Sequence, residues 1–285
     1  MVLFSSTNYV PRLSAIRKVP SPNLFVSEPP PQWFGNGPNA ANDPAWSNEN
    51  WLKSRFHFSF AEYASGPQQF GVLRVMNDDL VQPHRAFGTH PHRDMEIVTY
   101  VVDGELTHKD TEGNEETLGR GSVQFMSAGT GIMHSEGNPQ GDKPLRFVQS
   151  WITPRKKGLK PNYGSATGTD CDRKDQWCRV VADWNDPTAS DVKVRVHQDV
   201  NGYAAETSKE LEFELAEGRQ AYCLCVEGAV TVGDDAKGTS LERHDAVELY
   251  GPLKLRFQPK DTTHLLMYEM AADARGSGRR DAEDA

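Results

Sequence analysis

The stretch GTHPHRDMEIVTYVVDG, residues 88–104, sets two histidines two positions apart at the start of a run rich in Ile, Val, Thr and Tyr. Such residues fit a pleated, half-buried surface, so the run predicts a strand that stops at the Asp103–Gly104 turn. On a strand, residues i and i+2 project from one face, about 6.6–6.8 Å apart along the backbone. His90 and His92 can therefore converge on one ion, with metal–nitrogen distances near ~2.1 Å. Pro91 between them cannot donate to a ladder, which suits a strand edge or a barrel rim. A bare His-x-His pair is equally the mark of two surface histidines, so a second element has to decide.

That element is SAGTGIMHSEGN, residues 127–138. It carries His134 and Glu136, again two apart, after Gly129 and Gly131, which permit a tight turn. The two pairs together supply three imidazoles and one carboxylate. This donor set suits Fe(II), Ni(II), Mn(II) or Zn(II), and the lack of thiolate argues against a structural cysteine–zinc site.

Around these motifs the chain reads as short strands. RFHFSFAEY, residues 55–63, alternates, with Phe56, Phe58 and Phe60 expected on one side and His57 and Ser59 on the other. QFGVLRVM, ELTHKD, GSVQFMSAG and LRFVQSWI follow the same pattern, and Glu112-Gly113-Asn114 marks a turn. No long amphipathic helix interrupts them, which points to an all-β barrel or sandwich. The second half repeats the theme: VVDGELT at 101–107 matches CVEGAVT at 225–231, and Val123 and Phe125 fall on Val247 and Leu249 at the same offset. Two copies of one β-barrel unit are expected, joined in the Gly-, Pro- and Thr-rich region 158–175. At that offset His90, His92, His134 and Glu136 land on Glu214, Ala216, Gln258 and Lys260, so the second copy lacks the site. His57, His84, His108, His197, His244 and His264 read as isolated surface or core histidines. Residues 29–50, crowded with Pro and Asn, read as a loop or arm, and the tail from Asp273 has no apolar content to bury and should be disordered.

Composition bounds the rest. The chain has 285 residues, 37% hydrophobic and 25% charged, with a formal net charge of -9. An acidic surface repels phosphates, so direct nucleic-acid binding is not expected; Arg155, Lys156, Lys157 and Lys160 read as a solvated loop. No stretch has the ~18 apolar residues of a spanning helix, so no membrane is expected, and no secretory signal is seen. The first 27 residues lack Asp and Glu and carry Arg12, Arg17 and Lys18, which is compatible with an organelle transit peptide or with an ordinary extension. Four cysteines are too few for a disulfide scaffold. Cys223 and Cys225 should be buried thiols on one strand face, and Cys171 and Cys178 match no common zinc spacing. The expectation is a reducing compartment, the cytoplasm, or the nucleus under the regulatory reading below.

Gly-x-His-x-His followed by a glycine-rich stretch ending in His resembles the paired motifs of the cupin superfamily. FGTHPHRDMEIVTYVVDGELTHKDTEGN and MSAGTGIMHSE, with WLKSRFHFSFAEY, RVMNDD and WITP, resemble the pirin family, closest to the short bacterial pirin-like quercetin 2,3-dioxygenases. The resemblance is strong over residues 51–154 and weaker to about residue 270. It implies a bicupin, two antiparallel jelly-roll-like β-barrels face to face. The expected divisions are an N-terminal extension (1–45), a metal-binding barrel (46–165), a barrel without ligands (166–272) and a disordered tail (273–285).

In pirins one ion, usually iron, is held by the residues that fall here on His90, His92, His134 and Glu136. Many other cupins use a glutamate that falls on Glu96. Parity along the chain puts Glu96 on the His90/His92 face, and the pirin pattern places it in the pocket wall or hydrogen-bonded behind the ligands. The resemblance further implies cleavage of a flavonol such as quercetin by dioxygen with release of carbon monoxide, Glu136 acting as general base. Phe125, Met126, Ile132 and Met133 could supply a flat pocket, though each taken singly reads more readily as ordinary barrel core. The competing reading is an iron-dependent, redox-sensing transcriptional co-regulator, which would need a protein partner.

Overall fold

The computed structural model describes residues 15–36, 51–234 and 238–272. The expected tail, the segment 37–50 and residues 1–14 lie outside the described residues. In chain order the first strands are β1 (Ala15–Val19), β2 (Phe25–Ser27), β3 (Leu52–Phe56), β4 (Leu73–Val81), β5 (Ala86–His92), β6 (Glu96–Asp103), β7 (Leu106–Asp110), β8 (Glu115–Leu118), β9 (Val123–Ser127), β10 (Ile132–Gly137), β11 (Leu145–Ile152) and β12 (Asn162–Ala166). They are followed by β13 (Cys178–Asp183), β14 (Arg195–Val196), β15 (Val200–Thr207), β16 (Leu211–Leu215), β17 (Arg219–Glu227), β18 (Ala229–Gly233), β19 (Gly238–Glu242), β20 (Ala246–Tyr250), β21 (Leu253–Pro259) and β22 (Thr263–Ala271).

Each half makes one seven-stranded and one four-stranded sheet. The first half has orders β12-β9-β6-β11-β4-β3-β2 and β5-β10-β7-β8; the second has β1-β20-β17-β22-β15-β13-β14 and β16-β21-β18-β19. The sheets stack in four layers, the two seven-stranded sheets facing each other. β6 shows why. Its even residues Val98, Tyr100 and Val102 enter the core between the halves, while the odd residue Val101 enters the core of the first half. β17 repeats this, with Tyr222, Leu224 and Val226 between the halves and Ala221, Cys223 and Cys225 inside the second half. Period-two strands buried on both faces read as nearly continuous apolar runs, which is what IVTYVV and AYCLCV are. β1 precedes the first half in sequence yet pairs with β20 of the second, at the position that β12 takes beside β9. Cleavage after residue 27 would remove this strand.

Two expectations change. RFHFSFAEY does not keep Phe56, Phe58 and Phe60 on one face, because β3 ends at Phe56; Phe58 then packs on Tyr222 between the halves. Cys171 and Cys178, whose spacing matched no common zinc site and for which no bridge was expected, are joined by a disulfide. The loop leading into β13 doubles back and brings their Cα atoms to 5.9 Å, within bonding reach. Cys223 and Cys225 are buried free thiols, and burial pushes both up, Cys225 to about 12.

Candidate metal centre

β5 and β10 are antiparallel neighbours, and their register sets His90 opposite His134. Sheet pairing thus brings together two motifs 44 residues apart in the chain. The turn before β10 needs glycine: Gly129 has φ +47° and a Cβ there would lie 2.1 Å from Leu159 O, while Gly131 has φ +133°. One ring nitrogen from each of His90, His92 and His134 lies within 4.8 Å of the others. His134, Glu136 and the β7 residue His108 form a second such group sharing His134. Glu136 lines one cavity with His90 and His92, but its carboxylate is not within the three-histidine group.

The hydrogen bonds decide which nitrogens carry lone pairs. His90 Nδ1 lies 2.8 Å from Gly88 O, which can only accept, so Nδ1 holds the proton and Nε2 the lone pair. Asp110 is held below the usual carboxylate range, its burial outweighed by hydrogen bonds from Asn114 and His108, and it is ionised. Its Oδ2 accepts from His108 Nε2 at 3.2 Å. His108 Nδ1 is then an acceptor, 3.4 Å from His134 Nδ1, which must donate. The relay Asp110–His108–His134 leaves the lone pair of His134 on Nε2. That atom faces His90 Nε2 at 3.1 Å. Two lone pairs at this distance repel, and a cation between them relieves the repulsion. Ligands at right angles on one ion with ~2.1 Å bonds stand about 3.0 Å apart, so the pair fits. His92 Nε2 is buried with no hydrogen-bond partner, a third open donor. Burial, with repulsion from neighbouring histidines, pushes His92 and His134 down to about 3, so both are neutral and able to coordinate.

Glu136 is held as an acceptor. Thr99 Oγ1 and Gln124 Nε2 donate to Oε1 at 3.2 Å each, and Gln149 Nε2 donates to Oε2 at 2.6 Å. Trp151 Nε1 donates to Gln149 Oε1 at 3.0 Å, which turns the amide so that its NH2 meets Glu136. The Trp151 ring also stands edge-on to His92, with centroids 4.8 Å apart. The cavity beside these groups has a volume of about 150 Å³ and aromatic walls from Phe34, Phe56, Phe60, Phe87 and Trp151.

Sequence models of known families match both halves: pirin over residues 40–152 and the quercetinase C-terminal cupin domain over residues 186–270. The chain is 34% identical over 233 residues to a quercetin 2,3-dioxygenase of Escherichia coli K12, covering 81% of this chain and 96% of that protein. The chain belongs to the pirin family. A pirin-like protein of Caulobacter vibrioides is 33% identical over 226 residues, 79% of this chain and 95% of the other. The crystal structure of the bacterial pirin YhhW from E. coli, solved with nickel(II), superposes with a TM-score of 0.74 at 30% identity and covers 91% of this chain and all (100%) of its own. The four layers are thus those of a pirin bicupin.

Against that pirin frame some sequence expectations shift. Glu96 does not share the His90/His92 face. Asp94 takes φ +51°, and β5 and β6 belong to different sheets, so parity does not carry across the turn. Glu96 points between the halves, where it accepts from Ser127 Oγ at 2.8 Å and the His197 amide at 3.3 Å, and burial raises it above the ordinary range. Phe125 enters the core between the halves, Met126 and Ile132 form a small separate core, and Met133 is exposed. None of the four lines the cavity. His108 is no isolated histidine, since it orients His134. In the second half, β16–β21 pairing sets Phe213 opposite Leu255, in the place of His90 opposite His134. With the inward residues aligned, the four positions become Phe213, Leu215, Leu255 and Phe257, not the residues at offset 124. All four belong to the second core or pack against it. Apolar side chains fill what is a polar centre in the first half, and no further group of metal-binding side chains occurs among the described residues.

Proposed function

We propose that the chain is a metal-dependent dioxygenase that opens a flavonol such as quercetin, consuming one dioxygen and releasing one carbon monoxide. The observation that carries this is the convergence of three imidazole lone pairs at the wall of an aromatic cavity, with the Glu136 carboxylate beside them. The names of the relatives and the nickel complex of YhhW support it. His90, His92, His134 and Glu136 would hold one divalent ion, with Fe(II) as first choice and Ni, Mn and Zn within the range of the donor set. Such an ion supplies Lewis acidity, which lowers the pKa of a hydroxyl brought beside it. The residues of the chain do the rest. Phe56, Phe87 and Trp151 orient a flat ring and exclude water. Glu136, held in place by Gln149, accepts the proton of the flavonol 3-hydroxyl as general base.

The test is carbon monoxide release from quercetin in air by protein loaded with Fe(II) or Ni(II), beside His134→Ala. Release by the first and not the second is expected. No release, with one ion bound per chain, would remove flavonol cleavage and leave the metal-dependent regulator.

A further inference from the structure

Across the cavity from the histidines, β4 presents Asn77 and Asp79 on one face. Both line the cavity and are almost fully buried, 5% and 3% exposed. Asn77 Oδ1 and Asp79 Oδ1 have no hydrogen-bond partner. Leaving such a group unpaired is destabilising, and an apolar pair would fit the barrel core better. A buried carboxyl kept in a cavity at a cost in stability is a mark of binding.

We propose that Asn77 and Asp79 form a polar subsite that receives phenolic hydroxyls on the side of the enclosed ring turned away from the ion. This rests on the flavonol reading above and deepens it, since it gives two named residues the task of selecting polyhydroxylated ligands. A cavity of about 150 Å³ accepts a single benzene ring, so the enclosed space takes one ring of a flavonol. The remainder lies toward the mouth, where Trp33, 63% exposed, stands at the rim. β4 lies in the seven-stranded sheet and the histidines in the four-stranded one, so a ring between them meets both walls. Burial raises Asp79 to about 8, with Asp78 and Glu136 adding to the rise against a lowering from Ser54. A protonated carboxyl both donates and accepts, so it pairs with a phenol in either sense.

The experiment measures binding, not turnover. Protein loaded with redox-inert Zn(II) is titrated without oxygen with quercetin and with 3-hydroxyflavone, which keeps the 3-hydroxyl and lacks the others. The unmutated protein should bind quercetin about tenfold more tightly, the factor expected for one to two hydrogen bonds. Asp79→Val and Asn77→Ala should each lower that preference and leave 3-hydroxyflavone unchanged. Asp79→Val should change the melting temperature little, because it removes a buried carboxyl whose Oδ1 is unpaired and loses at most the bond to Ser54. Equal binding of the two ligands by the unmutated protein, or an unchanged preference in both variants, would overturn the subsite while 3-hydroxyflavone binding upholds the flavonol reading. Failure to bind either ligand would overturn both. Should Asp79→Val misfold, Asn77→Ala alone decides the matter.

Discussion

The relay from Asp110 through His108 to His134 makes a sharp prediction, because it sets a proton and not merely a position. Replacing Asp110 by Asn keeps the shape. Asp110 Oδ1 accepts the backbone amides of Glu112 and Asn114 at 2.9 and 3.0 Å, so the new amide oxygen must stay there and its NH2 takes the place of Oδ2, facing His108 and the Asn114 side-chain amide, which must flip to accept from it. His108 Nε2 then becomes an acceptor and Nδ1 a donor. His134 must turn its own Nδ1 into an acceptor, which moves its proton to Nε2, the atom that faces His90. A ligand lone pair is lost without any change in the ligands. Groups that orient metal histidines are typically worth a factor of 10–100 in metal affinity, or about 1.4–2.7 kcal/mol. His108→Phe keeps the ring stacked on Tyr163, at 4.6 Å between centroids, but removes the acceptor; it should cost affinity within the same range. The assay is competition for Ni(II) between protein and a chelator of known affinity. Asp110→Asn should bind at least ten times more weakly with an unchanged far-UV spectrum. Unaltered affinity in both variants would show that the relay does not govern His134.

Three other outcomes follow from the packing. Asp78, in a bidentate pair with Arg146 at 2.8 Å for both bonds, is buried between the halves, and Arg146 Nη2 reaches Val226 O of the second half at 2.9 Å. Asp78→Asn strands a buried guanidinium and should cost about 3–5 kcal/mol in denaturant unfolding, most of it recovered by the double change with Arg146→Met; a loss below 1 kcal/mol (about one weak surface pair) would contradict this. His57 is buried against Tyr222, its Nδ1 2.9 Å from the phenol oxygen, and burial pushes it down to about 4. The unfolded chain therefore takes up this proton first, near pH 6.5, so stability present above that pH is lost as pH falls from 6.5 to 4, by up to about 3 kcal/mol. His57→Gln should flatten that part of the pH–stability curve, and an unchanged slope would contradict the assignment. Gly129→Ala should lower the melting temperature and weaken Ni(II) binding, since the positive φ alone costs about 1–3 kcal/mol and the methyl meets Leu159 O; unchanged values of both would show that the turn does not aim β10.

The sequence carried what depends on period two within one strand. His90 with His92, and His134 with Glu136, share faces because each pair stays inside β5 or β10. The internal repeat was legible for the same reason, since both copies alternate between the same two cores. What failed crosses a turn or a sheet. Glu96 lost its parity at Asp94, where the backbone goes left-handed. The offset of 124 held for β6 and β17 but slipped by one to three residues at β16 and β21, because the loops between strands differ in length. Thr99, Gln124 and Gln149 read as stray polar residues in apolar strands, and that was their only signal; their shared partner Glu136 is seen only when β6, β9 and β11 lie side by side across from β10. The Cys171–Cys178 bridge depends on a loop conformation that a spacing does not encode.

The most direct test is to locate the ion. Crystals grown with Ni(II) and measured at its absorption edge would show an anomalous peak. One peak per chain is expected, about 2.1 Å from Nε2 of His90 and His134 and in contact with His92 and Glu136. A peak at His108 and Asp110, or none at the histidines at full nickel loading, would contradict the centre described above.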